Sequence, residues 1–216
     1  MRGGVARMEW RALGFGNEPS ESRLAGRRIL LRPPRLADWR EWADLRASSR
    51  DFLTPWEPVW PRDALTKVAF RQRLRRNVRD WRNDRARSFF LFRRQDQALI
   101  GGITISGLHR GVTQSGGFGY WIGQPFARQG YMTEAVQCML DLAFGRLGLH
   151  RVEAACLVHN ESSRRLLIRS GFTQEGLARG YLCINGVWQD HLLFAILRTD
   201  RRPGRQPKPS ASVVQA

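Results

Sequence analysis

The residues best suited to chemistry lie in two short segments. The first is Tyr120–Thr133, read Y-W-I-G-Q-P-F-A-R-Q-G-Y-M-T. A strand pattern ends there, a turn carrying Pro125 follows, and helical spacing begins at about Gly130. The loop before a helix start presents unpaired backbone N–H groups, and aligned peptide dipoles place partial positive charge on it. Together these make a pyrophosphate site that needs few side chains. Gly130 permits close backbone approach, Arg128 adds charge, and Thr133 can hydrogen-bond a phosphate oxygen. Read as structure alone, the segment is an ordinary strand–turn–helix connection. Rival phosphate motifs are missing. There is no G-x-x-x-x-G-K-[ST], and Gly117, Gly119 and Gly123 miss G-x-G-x-x-G by one residue and lie within a strand.

The second segment is His159–Phe172, H-N-E-S-S-R-R-L-L-I-R-S-G-F. Asn160 stands at a helix N-cap with Ser163 three residues on. As structure this is a plain cap. As chemistry, an amide and a hydroxyl at a helix start can hold a pantetheine arm and protonate a leaving thiolate.

A scaffold must position both segments. Arg28–Arg32 reads as a strand and Leu36–Ser48 as a helix with Trp39, Trp42, Ala43 and Leu45 near one side. Asp51–Trp60 reads as a loop punctuated by Pro55 and Pro58. Asp63–Asn83 reads as a long helix with Phe70, Leu74, Val78 and Trp81 on one face. Arg71, Arg75, Arg79 and Arg82 repeat that spacing one residue later, as an arginine stripe. Ser88–Arg93, Leu99–Ser106 and Gly116–Ile122 read as strands, Thr133–Leu147 as a helix, and Arg151–Leu157 as a strand. Glu161–Ser170 reads as a helix ended by Gly171. Phe172–Leu177, Gly180–Ile184 and His191–Leu197 read as further short strands, with Asn185-Gly186 as a hairpin signal. The order predicts a mixed α/β domain around one central sheet. Residues 1–25 read as a flexible arm, 26–199 as the domain, and 200–216 as a basic disordered tail.

Composition narrows the class. With 216 residues and 42% apolar side chains, the chain can bury one core without disulfide or metal staples. Cys138, Cys156 and Cys183 form no C-x-x-C pair, so reduced cytoplasmic thiols are expected and no zinc site. No run of 18 apolar residues exists and no secretory leader is visible, so a cytoplasmic protein is expected. The formal charge of +17, almost all arginine, favours anionic partners such as nucleic acid, a ribosome or a phosphorylated cofactor.

Taken together, the two segments resemble the GCN5-related N-acetyltransferase (GNAT) superfamily. The matching pieces are the strand Gly119–Gly123, the loop Phe126–Met132, the helix after it, and the N-x-x-S…G-F unit Asn160–Ser163…Gly171-Phe172. The chain looks most like the branch that acetylates the N-termini of ribosomal proteins. F-L-T-P-W-E-P-V (Phe52–Val59), I-G-G-I-T-I (Ile100–Ile105), A-R-Q-G-Y-M-T-E-A (Ala127–Ala135) and Y-L-C-I-N-G-V-W-Q-D-H (Tyr181–His191) carry that likeness. The superfamily loop is [Q/R]-x-x-G-x-[G/A]; here Ala127 and Met132 stand at its ends, and the first removes a polar phosphate contact. Gly180 stands where some relatives have an acidic base.

The resemblance implies a mostly antiparallel central sheet with a splayed strand pair, flanked by helices. It also implies acetyl-CoA as co-substrate and direct transfer to an amine. It assigns Tyr120, Trp121 and Ile122, by their backbone, to the acetyl-pantetheine arm and Arg128, Gln129, Gly130, Met132 and Thr133 to the pyrophosphate. Asn160 orients the arm, Ser163 protonates the thiolate with Tyr181 second, and Glu57 or Asp190 binds or deprotonates the acceptor. An α-amino group, with a reference pKa of about 7.7–8.0, needs less help from a base than a lysine near about 10.4. This suits a protein N-terminus as acceptor, and the resemblance implies a ribosomal one. The alternatives are a small-molecule amine (antibiotic, polyamine or amino acid) and an RNA- or ribosome-binding module using Arg71, Arg75, Arg79 and Arg82. Monomer and homodimer both stay open.

Overall fold

The run Ser88–Arg93 is apolar without alternation because both faces of its strand are covered. Phe89 and Leu91 enter one core, while Phe90 and Phe92 enter another. The computed structural model describes residues 23–203. The strands are β1 (Leu24–Ala25), β2 (Ile29–Arg32), β3 (Ala86–Arg93), β4 (Leu99–His109), β5 (Ser115–Ile122), β6 (Arg151–Leu157), β7 (Thr173–Ile184) and β8 (Val187–Leu197). They form one sheet in the order β1-β2-β3-β4-β5-β6-β8-β7. Every neighbouring pair is antiparallel except β5 and β6.

The helices are α1 (Trp39–Ser48), α2 (Arg50–Leu53), α3 (Lys67–Arg82), α4 (Tyr131–Asp141) and α5 (Glu161–Arg169). Trp42 of α1 and Phe70 and Leu74 of α3 pack on Phe90, Phe92 and Leu99. On the opposite face, Ala135, Val136 and Met139 of α4 and Leu167 of α5 pack on Leu91, Ile103, Phe118, Val152 and Phe194.

The parallel pair β5–β6 separates part-way along. Its register runs from Ser115↔Arg151 to Phe118↔Ala154 and stops. Beyond that point Gly119–Ile122 stay paired with β4, and Ala155–Leu157 stay paired with β8. The two strands thus diverge into a wedge, as the resemblance implied. Gly101 and Gly102 hold one side of it. A Cβ on Gly102 would lie 2.5 Å from the Trp121 indole nitrogen, and one on Gly101 would lie 2.5 Å from the Trp121 carbonyl. The absent side chains let Trp121 fold flat across β4.

Several expected boundaries move. The Asp51–Trp60 loop contains α2 and a 3-10 turn at Thr54–Trp56. Helix α3 starts at Lys67 because Thr66 caps it, its Oγ1 accepting from the Ala69 amide at 3.2 Å. The helix expected over Thr133–Leu147 begins at Tyr131 and passes into a π turn at Leu142–Arg146. The strands expected over Phe172–Leu177 and Gly180–Ile184 are one strand, β7, broken in register between Gln174 and Gly176 and between Ala178 and Leu182. Asn185 (φ 46°) and Gly186 (φ 82°) make the tight β7–β8 hairpin turn.

The expected arm and tail fall mostly outside the described residues. Their inner ends are held by the domain. Leu24–Ala25 pair with β2, and the Arg202 guanidinium donates to Asp141 at 3.0 Å and lies 5.5 Å from the Phe144 ring centre. Among the described residues no helix is long and apolar enough to cross a membrane, and no group of three His, Cys, Asp or Glu could hold a metal ion.

Candidate active site

The wedge opens into a cleft of about 1370 Å³ that both helix starts border. At the first, α4 begins from Gly130, whose φ of 80° places it in the left-handed region, with no side chain capping the helix. Arg128 two residues earlier also has positive φ, 60°. The amides of the first turn have no intrahelical acceptor. Their positive end faces the cleft beside Arg128, Gly130 and Thr133.

A latch holds this loop. The Arg28 amide donates to Glu134 Oε1 at 2.7 Å, and its guanidinium donates to Glu134 Oε2 at 3.1 Å and to the Gln129 carbonyl at 3.0 Å. The same guanidinium lies 4.7 Å from the centre of the Tyr131 ring. Glu134 sits in the first turn of α4, where its charge would oppose a bound anion. Arg28 offsets that charge. Sequence reasoning missed both residues, since they lie 106 positions apart.

Two expected phosphate residues change role. The Gln129 side chain donates back to the Pro125 carbonyl at 2.7 Å and does not border the cleft. It stiffens the loop from within. Met132 is 5% exposed and belongs to the core, so only its backbone is available to a ligand. The other expected residues, Tyr120, Trp121, Ile122, Arg128, Gly130, Thr133, Asn160, Ser163, Tyr181 and Glu57, all border the cleft.

At the second helix start, the Asn160 amide oxygen accepts from the Ser163 amide at 3.0 Å. Ser163 Oγ is 2.6 Å from the Tyr120 phenol oxygen. Burial pushes the Tyr120 phenol well above its ordinary range, against the opposing pull of the Ser163 hydrogen bond. Tyr120 therefore keeps its proton through neutral pH, and either hydroxyl of this pair can donate to the other. The Cys156 thiol shares the cluster. Burial raises it, and a hydrogen bond with Ser163 opposes the shift. The expectation for Tyr120 concerned its backbone only; its side chain completes the Ser163 cluster, which a separation of 43 positions hides from sequence reading.

The acceptor-side carboxylates are committed elsewhere. Both Glu57 oxygens take bonds from the Arg46 guanidinium, and the Trp60 indole N–H donates to Oε2 at 2.7 Å. Arg46 is 6% exposed and lies over the rings of Trp60 and Trp121, at 4.2 and 5.0 Å. Removing either partner would leave the other charge partly buried and unpaired, so the pair is held together. Glu57 thus anchors the Trp56–Trp60 wall as well as bordering the cleft. Its carbonyl also accepts from the Asn185 amide at 3.0 Å, tying that wall to the β7–β8 hairpin. Asp190 likewise accepts from the Gly180 amide at 2.8 Å. Tyr181 is 47% exposed, its ring 5.6 Å from that of His191 in a T-shaped contact. His191 was not among the expected site residues. It borders the cleft, is 3% exposed, and its Nδ1 lies 2.9 Å from the Gln189 carbonyl.

An uncapped helix start beside a strand wedge is built for a pyrophosphate and an extended arm. Residues 28–173 match the family model described as Acetyltransferase (GNAT) domain. The chain belongs to the GNAT acetyltransferase family. Within that family it is 36% identical over 177 residues to the Bacillus subtilis protein named "Probable N-acetyltransferase YjcK", covering 82% of this chain and 98% of that protein. It is 33% identical over 192 residues to the Escherichia coli [Ribosomal protein uS5]-alanine N-acetyltransferase, covering 89% of this chain and 99% of the relative. The solved structure of Mycobacterium smegmatis RimJ in complex with CoA-disulfide superposes with a TM-score of 0.78 at 30% identity, covering 82% of this chain and 88% of that one. The chain is thus an N-acetyltransferase that uses acetyl-CoA as co-substrate. Acetyl-CoA supplies the activated acetyl group as a thioester. The α4 start and the wedge fit its anionic and extended parts, and Tyr120 and Ser163 supply hydroxyls within reach of the wedge.

Proposed function

We propose that this GNAT enzyme acetylates the N-terminal amine of a protein, with a ribosomal protein as acceptor and the cytoplasm as its place of action. One observation carries the preference over a polycationic small molecule. The carboxylates that border the cleft are Asp51, Glu57, Glu153, Glu161 and Glu175. Glu57 is paired with Arg46, Glu153 and Glu175 with Arg151, and Glu161 with Arg164 and Arg165. Asp51 alone has no arginine partner among the described residues. One free carboxylate suits one ammonium group, whereas a polyamine or aminoglycoside needs several. The kinship with enzymes named for ribosomal-protein substrates supports the same reading.

In this reading the α4 first-turn amides, Arg128 and Thr133 bind the pyrophosphate. The β5 backbone from Tyr120 to Ile122 and the Asn160 side chain orient the arm. Ser163, backed by the Tyr120 phenol, delivers the proton that the departing thiolate needs. Tyr181 lines the acceptor entrance. The test is acetyl-CoA turnover against peptides with different first residues, run beside polyamines and aminoglycosides. Peptide turnover should dominate; preferred turnover of a polyamine or aminoglycoside would overturn the reading.

The outer face of α3 supports a docking role compatible with this activity. Arg71, Arg75, Arg79 and Arg82 are exposed along it, and Asp80 is the helix's only acidic residue. Such a face binds phosphate backbones without sequence preference. Co-sedimentation with ribosomes should occur at low salt and fall steeply at high salt. Salt-independent binding, or none, removes this role.

A further inference from the structure

We propose that His191 is the catalytic base that takes a proton from the acceptor amine. This rests on amine acetylation and not on which amine accepts. A carbonyl can only accept a hydrogen bond, so the contact with Gln189 requires the proton on His191 Nδ1. The lone pair of the neutral ring then lies on Nε2, and no described residue bonds that atom. The residue is nearly buried yet borders the cleft, so any outlet for Nε2 is the cleft.

Its position in the sheet places it at the wedge. His191 is opposite Leu157, the last residue of the β6 segment that diverges from β5. On its other side it is opposite Ala178 of β7. Both cross-strand neighbours are apolar. The titratable and charged groups on the surrounding elements are Arg151, Glu153 and Cys156 of β6, Glu175, Arg179, Tyr181 and Cys183 of β7, Asp190 of β8, Glu57 of the Trp56–Trp60 wall, Asp51 of α2, and His159 after β6. Glu57 and Asp190 are occupied by Arg46 and the Gly180 amide. Tyr181 packs its ring against the imidazole. Histidine is the side chain whose ordinary titration falls near neutrality, which suits a base for an α-amino group.

The proton balance is simple. The acceptor ammonium gives one proton to His191 Nε2, and the neutral amine attacks the thioester carbonyl carbon. The C–S bond breaks with its electron pair on sulfur. Sulfur takes a proton from the Ser163–Tyr120 pair, which is replenished by the second amine proton through solvent. His191 releases its proton to cleft water.

Two measurements test this. The first is the rate of acetyl transfer to the best acceptor of the panel, from about pH 5.5 to about pH 9, for the parent and His191→Gln. The variant should lose about 10²-fold in kcat/KM for the acceptor near neutrality, and its profile should lose the rise with pH. Its KM for acetyl-CoA should stay within about twofold, since His191 lies off the phosphate loop. Free imidazole should partly restore His191→Gly, which a purely structural role would not allow. Activity within about threefold of the parent, or an unchanged rise, overturns the proposal. The second is nitrogen NMR of the parent with labelled histidine. It should show His191 protonated on Nδ1 when neutral; an Nε2-protonated ring overturns the proposal whatever the acceptor proves to be. A panel without any peptide turnover would count against the peptide reading alone, because the tautomer stands as a separate readout.

Discussion

The two helix starts at the cleft are built in opposite ways. At α5, the Asn160 side chain satisfies the Ser163 amide, so that end carries its own cap. At α4, Gly130 offers no side chain and holds a left-handed backbone, so its amides stay available. A side-chain cap is worth about 1 kcal/mol. Helix α4 forgoes that stabilisation and leaves its positive end to an anion. Under the proposed function this contrast divides the labour: the open end takes the pyrophosphate, and the closed end aims the Ser163 hydroxyl. External struts compensate at the open end. Arg28 bonds Glu134 and the Gln129 carbonyl there, and Gln129 bonds Pro125.

Four substitutions break or sharpen this contrast. The largest effect is expected from Ser163→Ala, with turnover down about 10²-fold and little change in acetyl-CoA affinity by calorimetry. Unchanged turnover would reduce the α5 start to a cap with no chemistry. Next comes Gly130→Ala. Its Cβ would meet Arg28 Nη2 at 3.2 Å in a left-handed backbone, and that conformation costs about 1–2 kcal/mol for a residue with a side chain. Acetyl-CoA affinity should fall about tenfold, the same energy expressed as binding. Full affinity in a folded variant would show that the loop needs no glycine.

Asn160→Ala removes the closed end's cap and should lower unfolding free energy by about 1 kcal/mol in denaturant titration. Its acetyl-CoA affinity should drop less than that of Gly130→Ala. The smallest effect concerns pH. Tyr120 ionises at higher pH when folded than when unfolded, so the unfolded chain loses that proton first. Stability is unaffected by this group below the ordinary phenol range of about pH 10 and declines above it. Tyr120→Phe should flatten the decline in stability at alkaline pH. An equally steep decline in the variant would show that the phenol is not held neutral by the fold.

Much of the scaffold was legible because it is periodic. Strand β6 spans the predicted Arg151–Leu157, and Gly171, with φ 97°, follows α5 as predicted. The left-handed Asn185-Gly186 turn follows from residue type alone. Boundaries failed where a cap or a bulge intervened, as at Thr66 and within β7. The cleft-bordering residues followed from the two helix-start segments and from the family resemblance. Their side-chain roles did not follow, because Gln129 and Glu57 are as polar in sequence as any ligand contact. Only their partners, the Pro125 carbonyl and Arg46, show that they are already spent.

The sequence by itself therefore determined the order of elements, the family, and the two helix starts that meet at the cleft. These depend on spacing and residue type within a few positions of chain. The tertiary structure decided which polar groups remain open for chemistry. It brought Arg28 to Glu134, Tyr120 to Ser163 and Arg46 to Glu57, and it set His191 at the cleft wall. Hydrogen bonds and ion pairs act over about 3 Å whatever the distance along the chain, so only the folded sheet reveals which of these groups are already paired.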